Sequence, residues 1–159
     1  MYAIYKQKKY GVSVGLDNQV TLHSRIKEEG FDNFVTPWGE VKDDFFSKKV
    51  NIHELDYLYR IVYEIQYKGH FFDAMSAMKR INIDEDWFAI RAGIEKYELI
   101  EKLGFKVYDK GEWWKEIGRK DIEAIKIIEE PEGIFKDRGS KVKIIEGADI
   151  DDFLASVKD

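Results

Sequence analysis

The sequence predicts an α+β domain, a mostly antiparallel sheet with two or three helices. Three observations lead there. Short runs of β-branched and aromatic residues recur along the chain with turn residues between them. Helical spacing of apolar residues holds only in brief stretches that carry capping residues. No internal repeat, low-complexity tract or Pro/Gly/Ser linker divides the 159 residues, whose only prolines are Pro37 and Pro131. That length suits one buried core, so a single domain over 1–159 is expected.

The N-terminal part reads as strands. Tyr2–Tyr5 starts one, and Tyr10–Gly15 alternates around Val12 and Val14. Asp17-Asn18 supplies a turn into Gln19–Ser24, which sets Val20 and Leu22 on one face. Phe34–Val41, "FVTPWGEV", has the composition of a bend, with Trp38 expected to close one end of the core. Asn51 followed by Glu54 is a helix-start signature, so a short helix is expected at about 52–58. Beyond it Tyr59, Ile61, Tyr63, Ile65 and Tyr67 alternate with polar residues, which predicts a strand at 60–67. Lys68-Gly69 turns the chain. "HFFDAMSAM", 70–78, reads either as a partner strand or as a helix with Phe71, Met75 and Met78 inward.

Trp87–Ala92 reads as a strand ending at Gly93. The clearest helix spans Glu95–Leu103, with Leu99, Ile100 and Leu103 on one side and Gly104 at the C-cap position. "FKVYDKGEWWKEI" predicts a hairpin turning at Asp109-Lys110-Gly111. Strands are expected at Ile122–Ile128 and Val142–Ile145, joined by a charged loop. A final helix follows, capped by Asp149, with Phe153, Leu154 and Val157 on its apolar side.

Composition excludes several classes. An apolar share of 44% and a charged share of 36% describe an ordered, soluble chain. Cysteine is absent, so neither a disulfide framework nor a thiolate zinc site is available. No stretch has the apolar length to span a bilayer, and "MYAIYKQKKYG" lacks the layout of a secretory signal, so a cytoplasmic location is expected. Net charge is −5, concentrated in residues 111–159 with nine basic and thirteen acidic side chains. That balance disfavours broad contact with phosphate backbones and suits a basic protein partner.

No constellation indicates an enzyme. His23, His53 and His70 are scattered, and "HELDY" at 53–57 begins like a zincin motif but has Tyr57 where the second imidazole must stand. Two acidic clusters, Asp84–Asp86 and Asp149, Asp151, Asp152, lack an EF-hand spacing and sit where elements begin, where the helix dipole alone favours them. Neither a phosphate loop nor a Gly-x-Ser-x-Gly elbow occurs. The basic "KQKKYG" at 6–11 reads as a solvated strand edge, where lysines oppose edge-to-edge pairing. No cofactor and no metal are expected.

"VTPWGEV", "ELDYLYRIVYEIQYKG" and "ELIEKLGFKVYDKGEWWKEI" together resemble small immunity proteins of bacterial polymorphic-toxin systems. The resemblance implies a compact cytosolic antidote that works by binding, its acidic and aromatic surface covering a cognate, basic toxin. On that implication the partner-binding residues are Trp114 with Glu112 and Glu116, followed by Glu129, Glu130 and Glu132. Period-two alternation separates the adjacent tryptophans. Trp113 shares a face with Lys115 and Ile117 and is expected in the core; Trp114, aligned with Glu112 and Glu116, is expected exposed. A homo-oligomeric phage or bacterial accessory protein is the alternative reading, and an enzyme of another type the third.

Overall fold

The computed structural model describes residues 1–75 and 78–158. Strands occupy half of the chain: β1 (Tyr2–Tyr5), β2 (Lys8–Val14), β3 (Gln19–Ser24), β4 (Asp32–Val35), β5 (Val41–Asn51), β6 (Tyr57–Tyr67), β7 (His70–Ala74), β8 (Phe88–Gly93), β9 (Lys106–Asp109), β10 (Glu112–Ile117), β11 (Ala124–Pro131) and β12 (Lys141–Glu146). The described residues also form three short α-helices, α1 (Arg80–Asp84), α2 (Tyr97–Leu103) and α3 (Ala148–Ser156), and four 3-10 segments. The class is therefore α+β with a mostly antiparallel sheet, and its short helical segments outnumber the two or three expected.

The chain forms two compact units, Met1–Ile61 with Glu129–Ser140, and Val62–Ile128 with the residues from Lys141 onward. In the first, the strand order is β4-β5-β3-β2-β1-β6. The β2–β3 turn takes positive φ at Asp17 (55°) and Asn18 (60°), the backbone that a tight hairpin of this kind requires. Val20 and Leu22 are fully buried, and with Ala3, Tyr5, Tyr10, Phe46, Val50, Leu58 and Phe135 they make this unit's core. β2 pairs with β1 on one side and, from Gly11 onward, with β3 on the other, so the exposed lysines sit where the strand is paired on one side alone. Lys8 and Lys9 pair only with β1, opposite Tyr5 and Ile4.

The expected helix at 52–58 shrinks to one 3-10 turn, Ile52–Glu54. Its start is as read. Asn51 Oδ1 accepts from the His53 N–H at 3.0 Å, and Glu54 Oε2 accepts from the Asn51 N–H at 2.6 Å. The aromatic, β-branched alternation then wins, and β6 begins at Tyr57. Trp38 does not close the core. It stands 79% exposed at the tip of the β4–β5 hairpin. There the Thr36 and Glu40 backbones pair (2.9 Å), and Thr36 Oγ1 accepts from the Glu40 N–H (3.0 Å), so the turn spends its indole on solvent.

In the second unit, β6, β7, β8, β10 and β9 follow in order, and β11 pairs with β12. Phe72, Phe88, Ile65, Ile90, Ile125 and Ile150 are its largest fully buried side chains. Of the two readings of 70–78, the strand holds for 70–74, while Ser76 and Ala77 lie outside the described residues. The helix expected from Glu95 opens with a 3-10 turn at Ile94–Lys96 before α2, and Gly104 ends it at φ 70° as expected. α3 is capped by Gly147, not Asp149: Asp149 falls in the first turn, and no side chain caps the helix. Its buried residues are Ile150 and Leu154. No helix of the described residues is long and apolar enough to cross a membrane.

Candidate functional site

The adjacent tryptophans lie on β10, and local sequence explains how they are held. Gly104 closes α2: the Phe105 N–H donates to the Ile100 carbonyl (3.0 Å), which turns the chain back into β9. Gly111, at φ 79°, then reverses it into β10. β10 is sandwiched between β8 and β9, with Trp114 opposite Arg91 on one side and Lys106 on the other. The pairing with β9 slips at Glu112/Trp113, and such a bulge re-aims side chains.

Trp113 packs on the core of the second unit and meets the Tyr97 ring edge-on, centroids 6.2 Å apart. Ile117, on the same face, is buried. Trp114 takes the opposite face as expected, but it is half-buried rather than exposed. Its cross-strand neighbours are two long cationic side chains, Arg91 and Lys106. A hollow of about 180 Å³ beside it is lined by Gly104, Lys106, Lys115 and Glu116 as well as Trp114 itself.

The charges here alternate. Arg91 lies between Asp73 (3.5 Å) and Glu112 (3.8 Å), all three well exposed. Glu116 is exposed. Sequence reasoning placed Glu112, Trp114 and Glu116 together but missed Asp73, Arg91 and Lys106. Those come from other strands, and only the register reveals them.

Glu129, Glu130 and Glu132 belong to the first unit and are engaged within it. Arg60 Nε donates to Glu130 Oε2 at 2.6 Å and lies 3.1 Å from Glu132 Oε1. Glu129 lies beside Tyr57 and Tyr59, whose phenols are pushed above their ordinary value by burial first and by that carboxylate second. These three glutamates therefore act first as internal partners.

Among the described residues no group of three or more His, Asp or Glu is placed to hold a metal ion. Asp151 of the C-terminal acidic cluster is instead held by Arg119 through two contacts, 2.7 and 3.0 Å, which lower its pKa. His53 is exposed on its 3-10 turn. His23 is different: it lies in an aromatic group with Phe34 and Phe45 on the first unit, and burial lowers its pKa.

Residues 1–133 match the family described as "Uncharacterised conserved protein UCP033725", and the chain belongs to it. No curated protein and no solved structure matches the chain.

Proposed function

We propose that this is a cytoplasmic protein-binding factor of the immunity type, not an enzyme, which neutralises a cognate bacterial toxin by covering part of its surface. The observation that carries this reading is the Trp114 face. A half-buried indole sits on the middle one of three paired strands, opposite Arg91 and Lys106, with Glu112 and Glu116 on its own strand. Interface hot spots favour Trp and Arg within a polar rim, and a sheet holds such an anchor in place without an ordering cost on binding. The glutamates suit the Lys and Arg of a basic toxin. Glu129, Glu130 and Glu132, on the first unit, would meet the toxin separately, by exchanging Arg60 and the tyrosines for its cations.

Co-expression with a toxin encoded beside the gene tests this directly. The wild-type protein is expected to restore growth, and Trp114→Ala to weaken the purified complex at least tenfold while the monomer stays folded. A wild-type protein that neither binds nor neutralises that toxin defeats the reading.

One observation favours homo-oligomerisation as a second reading. Among the described residues β9 pairs with β10 alone, and its Val107 and Tyr108 are 72% and 55% exposed, the features of an edge strand open to pairing. A monomeric mass by light scattering at millimolar concentration would count against it.

A further inference from the structure

We propose that Gly11 is the floor of a ring-binding slot on the first unit, and that its occupant is an aromatic side chain of a protein partner. The proposal rests on the protein-binding reading above and gives it a second surface. Gly11 sits inside β2, paired on both sides, opposite Tyr2 of β1 and His23 of β3. Nothing in the fold demands glycine there. Its φ is not positive, and a Cβ at this position would meet no atom within 4 Å. A glycine inside a strand weakens the sheet and marks a place where another group approaches closely.

The walls of the opening are braced rings. Directly opposed residues share a face of the sheet, so Tyr2 and His23 flank the gap from either side. Tyr2 leans on the Tyr59 ring, centroids 5.7 Å apart. His23 stacks on Phe45 at 5.3 Å and 15°, and its Nε2 lies 2.8 Å from Ser13 Oγ. Two strand spacings separate β1 from β3, roughly 9.5 Å. Ring centroids in contact lie about 4.5–7 Å apart, so backbones at this spacing leave room for a ring over Gly11 once the Lys9 ammonium moves off the Tyr2 ring. Lys9 and Ser13, both exposed, close it along the strand.

The rim identifies the occupant. Lys9 Nζ lies 4.2 Å over the Tyr2 ring, and Lys49 is on the same face opposite Thr21. Asp32 pairs opposite Ser47, and Arg25 lies over Phe45 with Asp44 at 3.8 Å. A phosphate strand would meet these carboxylates as well as the cations. A protein surface offers both signs, and aromatic centres with mixed polar rims are the anatomy of protein interfaces.

The test is an NMR titration of the full chain with N-acetyl-tyrosinamide and N-acetyl-tryptophanamide at millimolar concentration, against a thymidine dodecamer. Expected are saturable shifts at the Gly11 amide and the Tyr2 and His23 rings, weakened at least tenfold in Gly11→Val and partly in Gly11→Ala. Both variants should melt no lower than wild type, since extended backbone and open space accept the side chain. Absent shifts, shifts that persist in Gly11→Val, or tighter binding of the dodecamer at the same resonances overturn the slot. The toxin assay is independent: a slot that binds no ring in a protein that still neutralises its toxin sinks the slot alone.

Discussion

The Tyr10 hydroxyl donates to Glu28 Oε2 at 2.7 Å, and that one carboxylate also accepts from Lys8 Nζ (2.7 Å) and Ser24 Oγ (3.0 Å). Glu28 thereby fastens the loop after β3 to β2. Burial first and the Glu28 hydrogen bond second push the Tyr10 phenol up to about 12. The unfolded chain loses that proton near 10, so this contribution to stability is complete below pH 10 and declines as pH rises from there toward 12. Tyr57, Tyr59 and Tyr97 are raised as well, so an absorbance titration at 295 nm is expected to show several late phenolates, one of them lost in Tyr10→Phe. A Tyr10 that titrates with the exposed tyrosines would refute the bond.

His23 carries the opposite sign. Burial holds its imidazole below the ordinary 6.5, so the unfolded state binds the proton more readily. Its contribution is complete above pH 6.5 and falls as pH drops toward the folded value. His23→Phe keeps the stacking on Phe45 and should flatten the stability–pH profile between pH 7 and 5, measured by urea midpoints. An unchanged slope would count against the assignment.

Gly133 is costly to replace. Its φ is +57°, and an added Cβ would lie 2.5 Å from Ile52 Cδ1. Gly139, at φ +74°, has open space around it. Gly133→Ala should therefore cost about 2–3 kcal/mol, adding a clash to backbone strain. Gly139→Ala should cost about 1 kcal/mol, strain alone. Equal urea midpoints for the two would remove the clash from the account.

The tryptophans divide by environment. Trp113→Ala is expected to destabilise by about 2–4 kcal/mol, since it packs on a core and on Tyr97. Trp38→Ala should shift stability by less than about 0.5 kcal/mol, the range for exposed sites. Thermal melts followed by circular dichroism would check the pair, and a large loss at Trp38 would contradict its exposure.

Much of the fold was legible where local physics decides alone. The turns at Asp17-Asn18, Lys68-Gly69 and Asp109–Gly111, the Asn51/Glu54 capping pair and the Gly104 stop all depend on a few consecutive residues. Trp38 was misread because composition says that an indole wants burial, whereas the Thr36–Glu40 hydrogen bonds decide where the tip points. Asp149 was misread as a cap because an acidic residue suits either the cap or the first turn. At the candidate site the alternation of Trp113 and Trp114 was readable, but the placement of Arg91 and Lys106 opposite Trp114 was not. Tyr2, Gly11 and His23 meet only through pairing of three strands, which no window of the sequence contains.

The makeup of the first unit bears on how the chain is born. Phe135 belongs to the same buried cluster as Ala3, Val20 and Leu22. A ribosome that has released Ile61 must add roughly seventy more residues before that ring emerges, about 4–15 s at synthesis rates of roughly 5–20 residues per second. Throughout that interval the N-terminal strands wait with an unfinished interior, exposed to proteases and to one another. Slow stretches of translation after residue 61 are thus where the yield of this protein is most at risk.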